Sequence, residues 1–118
     1  MVVAVRTLLK REDFVALKGQ GKRVHKAGFV LQWQEDAAEA GIAVGYTAST
    51  KGVGNSVKRN RARRRLKAAF DRVVRLNPAA GGGQRRLALI AREAVLTVPF
   101  EALVADMRAA MRVAGIQC

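Results

Sequence analysis

Asn55 to Phe70 reads NSVKRNRARRRLKAAF, in which seven cationic side chains, Lys58, Arg59, Arg61, Arg63, Arg64, Arg65 and Lys67, are interleaved with a regular apolar set. Ala62, Leu66, Ala69, Phe70 and, just beyond, Val73 recur at spacings of three, four and seven, the repeat of one face of an α-helix. The pattern predicts a helix that packs its apolar stripe on a core and presents cations over the rest of its surface. Like charges on neighbouring turns approach to about 5 to 6 Å and destabilise an isolated helix, a repulsion that a bound polyanion relieves. Asn55 or Ser56 suits the N-cap, and Asn77-Pro78 followed by Gly81, Gly82 and Gly83 suits the stop. A solvated basic face on an ordinary helix is the plainer reading, and the charge density argues against it.

The flanks of this helix read as strands. Upstream, Gly41 to Ala48, GIAVGYTA, is apolar and rich in strand formers, and Lys22 to Gln34 reads as one strand or as two short ones broken near Gly28. The expected pairing is an antiparallel hairpin between these two segments, with Glu35, Asp36 and Glu39 in a polar turn at its tip that keeps the hairpin soluble. Three carboxylates could resemble a metal site, but a solubilising loop is the simpler account. Ser49 to Gly54, STKGVG, is a loop that delivers Lys51 to the start of the basic helix. It lacks the Gly-Lys-Ser/Thr ending of a nucleotide-binding loop, although the helix N-terminus beside Lys51 could hold a phosphate. Downstream, Arg86 to Arg92, RLALIAR, is a nearly continuous apolar run that fits a buried strand. Phe100, Leu103, Val104, Met107 and Met111 then predict a closing helix from Pro99 to Val113, stopped at Gly115. At the other end, residues 7 to 18, TLLKREDFVALK, fit a short amphipathic helix in which Phe14 reads first as a core anchor. The sum is an α+β domain, helices on one side of a small sheet.

Composition bounds the function. A chain of 118 residues fits one domain, 1–118, without disulfides or metal. With 22 Lys and Arg against 9 Asp and Glu, the net charge is +13 and the pI about 11.4, which points to a polyanionic partner, foremost nucleic acid. A membrane surface is the rival, weakened by the single aromatic residue on the basic helix. No apolar run reaches a membrane span and the N-terminus lacks a signal-peptide pattern; with Cys118 as the one cysteine, these features favour a reducing, cytoplasmic setting. His25, the single histidine, lies between Arg23 and Lys26 and suits a surface or RNA-facing position rather than a catalytic base. The scattered acids Asp71, Glu93, Glu101 and Asp106 show no paired pattern for a protein-only nuclease. A small structural RNA-binding protein would be served by the same charge.

The run Arg59-Asn60-Arg61-Ala62-Arg63-Arg64-Arg65-Leu66, preceded by Gly54-Asn55-Ser56-Val57, closely resembles the signature of the bacterial ribonuclease P protein subunit. Glu12-Asp13-Phe14, Phe29-Val30-Leu31, Val44-Gly45 and Ile90-Ala91-Arg92 follow in the matching order, so the resemblance spans nearly the whole chain. It implies the order α-β-β-β-α-β-α in a two-layer sandwich, with a left-handed β-α-β crossover around the basic helix that the usual handedness rule would not suggest. It further implies the protein component of an endoribonuclease ribonucleoprotein, one protein per catalytic RNA, that removes the 5′ leader of precursor tRNA. The hydrolysis would be metal-dependent, with Mg2+ acting through the RNA and no catalytic residue in the protein. RNA contacts would fall on Lys51, Lys58, Arg59, Asn60, Arg61, Arg63, Arg64 and Arg65, and the leader would lie in a cleft lined by Phe14 and Lys51. Lys18 and Gln32 depart from the pattern, standing where aromatic residues often line that cleft, and the Lys51 loop is one residue longer. Trp33 alternates to the opposite face from Gln32 and is expected in the core or the hairpin.

Overall fold

The computed structural model describes residues 5–7, 22–36 and 41–118. Among these, strands β1 (Val5–Thr7), β2 (Lys22–His25), β3 (Phe29–Glu35), β4 (Ile42–Thr47) and β5 (Arg85–Ala91) form one sheet in the order β1-β4-β5-β3-β2. Helix α1 (Ser56–Phe70) joins β4 to β5, and helix α2 (Phe100–Val113) closes the chain. The helix expected over residues 7–18, with Phe14 and Lys18, falls outside the described residues except for Thr7, which belongs to β1.

Alternation along the strands gives the sheet two different faces. Phe29, Leu31 and Trp33 of β3, Ile42 and Val44 of β4, and Leu87, Leu89 and Ala91 of β5 are buried in one core with α1 and α2. The predicted stripe of α1 is that core's other wall: Ala62, Leu66, Ala69, Phe70 and Val73 are each fully buried. Trp33 lies in the core, one of its two expected places, with Lys22 Nζ 5.0 Å from its ring centroid.

Of the two readings of Lys22 to Gln34, the structure gives two strands, broken near Gly28. Lys26 N donates to Phe29 O across the turn, and β2 pairs antiparallel with β3. Gly28 lets the turn pack closely under a 3₁₀ helix at Glu93–Leu96, where a Cβ would stand 3.2 Å from Val95 Cα.

The hairpin expected between β3 and β4 does not form. β5 inserts between them, antiparallel to β3 from Phe29↔Ala91 to Glu35↔Arg85, and parallel to β4 from Ile42↔Arg85 to Thr47↔Ile90. The physical reason lies in β5 itself: Leu87, Ala88 and Leu89 are buried on both faces, and a strand so buried must satisfy both backbone edges, which requires a neighbour on each side. The polar turn is corrected with it. Glu35 pairs with Arg85 at 3.5 Å and Asp36 with Arg86 at 2.8 Å, so these acids fasten the β3–β5 pairing instead of solubilising a hairpin tip. Glu39 lies outside the described residues.

The connection from β4 through α1 to β5 joins adjacent parallel strands, as the β-α-β crossover requires. Ala48 and Val53 are buried at its start, and Gly54 turns the chain into the helix at φ 124°, a conformation that strains other residues. Asn55 is the N-cap, its Oδ1 accepting from Lys58 N at 3.0 Å. α1 then runs into one π-helical turn, Asp71–Arg75, where Leu76 N donates to Asp71 O, and Asn77 Nδ2 closes the end on Val73 O.

Candidate nucleic-acid interface

Because the stripe fixes the rotation of α1, it also fixes where each cation points. Lys58, Asn60, Arg61 and Arg64 are exposed on the side away from the core, and Lys51 is exposed on the preceding turn. That turn is held in place by Ser49, whose Oγ accepts from Gly52 N at 2.9 Å and whose carbonyl accepts from Val53 N. Arg63, half-buried on the flank, donates from Nη1 to Asn60 Oδ1 at 2.8 Å, which leaves the Asn60 amide nitrogen as an outward donor.

Two arginines of the run face inward. Arg59 stands three residues before Ala62 and seven before Leu66, so it extends the apolar stripe; it is half-buried with its Nε enclosed. Arg65 reaches across to the segment before α2, donating from Nη1 to Leu96 O at 3.4 Å and from Nη2 to Val98 O. Its donors thus brace α1 against the 3₁₀ helix. Arg65→Ala should lower stability by about 1 to 2 kcal/mol, whereas Arg64→Ala should not move the urea midpoint.

Charge is divided along the helix. Asp71, almost buried, accepts from Lys67 Nζ at 2.8 Å and from Arg75 Nε at 2.9 Å, and Arg72 pairs with Glu101 at 2.6 Å. The charge at the C-terminal end is therefore partly offset. Among the described residues no carboxylate lies within salt-bridge distance of Lys51, Lys58, Arg59, Arg61, Arg63 or Arg64. Among the described residues, the N-terminal half is a ridge of positive charge without a carboxylate partner.

Burial alone would raise the Asp71 pKa, but the hydrogen bonds from Arg75 and Lys67 outweigh it and hold the carboxyl below its usual range. A carboxyl depressed in the folded state stabilises above its unfolded value, and that stabilisation fades as pH falls through the lower folded value. Asp71→Asn should accordingly lower Tm by roughly 2 to 5 °C at pH 7. The gap from wild type should close on acidification, which thermal melts across an acid pH series would check.

The second face of the sheet carries a groove of about 400 Å³, lined by Arg23, His25, Val30, Gln32, Thr47, Ala88 and Ile90. The register explains its floor as two rows across the strands: Arg23, Gln32, Ala88 and Gly45 in one, and His25, Val30, Ile90 and Thr47 in the next. Lys51 is not among its lining side chains; its loop borders another hollow, between Ala27, Gly52 and the Ala91–Ala94 segment. Phe14 is outside the described residues. Gln32, which departs from the family's aromatic pattern, lies on the groove floor, and Arg23, which the sequence did not single out, lies opposite it; the signal for Arg23 is the period-two alternation of β2 opposite β3. No three His, Cys, Asp or Glu among the described residues come together to hold a metal. None of the helices there is long and apolar enough to cross a membrane.

Residues 4–115 match the family model described as Ribonuclease P. A ribonuclease P protein component of Gluconacetobacter diazotrophicus is 41% identical over 112 residues, covering 93% of this chain and 91% of that protein. Two solved structures share the fold: the Staphylococcus aureus RNase P protein, with TM-score 0.74 at 19% identity over 92% of this chain and 94% of that one. The Thermotoga maritima RNase P protein gives TM-score 0.70 at 20% identity over 91% of this chain and 96% of that one. With the family model matched over residues 4–115 and a relative 41% identical over 93% of its length, the chain belongs to the ribonuclease P protein family.

Proposed function

We propose that the chain is the protein subunit of ribonuclease P, partnered one to one with a catalytic RNA, and that it assists removal of the 5′ leader from precursor tRNA in the cytoplasm. The observation that supports this best is the cationic ridge on the N-terminal half of α1. Lys51, Lys58, Asn60, Arg61, Arg63 and Arg64 offer charged and forked donors to RNA phosphates, with Arg59 and Arg65 behind them fixing the helix. On the second face of the sheet, the groove combines an apolar floor of Val30, Ala88 and Ile90 with the donors of Arg23, and the leader is assigned there; contacts from Phe14 and Lys51 to the leader rest on the family resemblance. Mg2+ and the hydrolytic chemistry are assigned to the RNA on the family resemblance. The protein's part is to bind, neutralise and orient.

RNA binding of this kind is salt-dependent because each phosphate contact releases counterions. With about six contacts, log affinity for ribonuclease P RNA should fall with log salt at a slope of about −4 to −5. A filter-binding titration across salt concentrations measures it, and a slope near zero would contradict the electrostatic reading.

A further inference from the structure

The groove on the second face of the sheet carries a polar pair, Arg23 and Gln32, in one row, and its floor combines Val30, Ala88 and Ile90 with His25 and Thr47 of the neighbouring row. Gln32 is 5% exposed. With its amide turned so that the oxygen faces β2, it accepts from Arg23 Nε at 2.8 Å and from Arg23 Nη2 at 2.9 Å. That orientation is dictated by chemistry, since a guanidinium can only donate. The two residues are direct cross-strand partners, so the backbone register holds them together as well.

This contact has a consequence for Arg23. The guanidinium is a rigid plane, and its Nε edge is occupied by Gln32. The end formed by Nη1 and the second Nη2 hydrogen remains, two parallel donors held at a fixed angle on the groove wall. A lone phosphate would be better served by clustered cations over a polar surface. Here one fork stands beside Val30, Ala88 and Ile90, against which a planar base can lie. Two parallel donors match two adjacent acceptors, and guanine presents such a pair, O6 and N7, on one edge. Adenine places the N6 amino donor beside N7, which would oppose the fork; uracil has the N3–H donor between its two carbonyls; and cytosine, whose O2 and N3 are adjacent acceptors, has only one ring to lay on the apolar floor where guanine has two.

We propose that Arg23, positioned by Gln32, makes the sheet-face groove selective for a guanine in the single-stranded RNA it holds. This rests on the assignment of the leader to that groove. Arg23 is the specificity-determining residue, and Gln32 acts through it.

The test uses the enzyme reconstituted from protein and RNA, with precursor tRNAs in which each leader nucleotide is varied in turn. At one leader position guanine should exceed adenine by about 10-fold in kcat/KM, and 7-deazaguanine there should lose most of that advantage. Arg23→Lys, which keeps the charge and loses the fork, should reduce the preference to below about 2-fold, the loss in kcat/KM falling mainly on the guanine-bearing leader. Gln32→Ala should act likewise, and Gln32→Glu, which can accept the same two hydrogen bonds, should restore the preference. Absence of a guanine preference at every position, or an equal loss for all leaders in Arg23→Lys, would overturn the inference while leaving the subunit reading intact. Failure of the wild-type protein to stimulate cleavage at all would overturn both.

Discussion

Replacing Arg61 and Arg64 together with alanine is expected to weaken binding to ribonuclease P RNA by about 30-fold at 0.15 M salt, with no change in the unfolding midpoint. Both side chains are exposed on α1, away from the stripe of Ala62, Leu66 and Ala69, and neither has a carboxylate within salt-bridge distance among the described residues. Their removal takes away two cations and opens no cavity. It also lessens repulsion between neighbouring turns, so the free protein should be no less stable. If each contributes one phosphate contact, the salt slope of the double variant should be shallower by about 1 to 1.5. Arg65→Ala supplies the contrast: its donors lie on Leu96 and Val98 carbonyls, so it should lose stability before it loses salt slope. Unfolding of the double variant would show that Arg61 and Arg64 are structural, and unchanged affinity would move the RNA interface elsewhere.

Leu66→Ala should produce the largest loss of stability, about 3 to 5 kcal/mol. Leu66 is fully buried at the centre of the stripe, between Ala62 and Phe70, and the surrounding core is too closely packed to collapse into the vacated volume. Phe70, its neighbour in the stripe, is already fixed by an edge-on contact with Tyr46, ring centroids 6.2 Å apart. Urea unfolding should show a lower midpoint with the slope unchanged. RNA binds only the folded chain in this account, so added ribonuclease P RNA should recover part of the lost midpoint in a concentration-dependent way. A loss below about 1 kcal/mol would mean that α1 is held to the sheet by something other than its apolar stripe.

What could be read from the sequence is what repeats locally. The stripe of α1, its Asn55 cap, the break at Gly28 and the inward side of Trp33 all follow from periods of 3.6 or 2 and from turn chemistry. Pairing partners are a different matter. RLALIA has no polar face to orient it, and nothing in its residues says that it will lie between β3 and β4, so the nearer hairpin was the natural and mistaken expectation. β1 is three residues long and was not anticipated, because Val5–Thr7 forms a strand only through its parallel neighbour β4.

The site was legible to a similar depth. Charge density and the motif found the ridge, but the inward turns of Arg59 and Arg65 depend on how the helix docks, and the neutralising role of Asp71 on partners four residues to either side. Gln32 stood out as a departure from the family's aromatic pattern. Its meaning appears only with Arg23 opposite it.

The central claim, that this protein works by equipping a catalytic RNA, is tested most directly by a precursor-tRNA cleavage assay at low magnesium and moderate salt. It has three arms: protein alone, ribonuclease P RNA alone, and the two combined. The account predicts cleavage at the mature 5′ end that is strongly stimulated only in the combined reaction, with none from the protein alone. Folded protein that leaves the rate of an active RNA unchanged would contradict it.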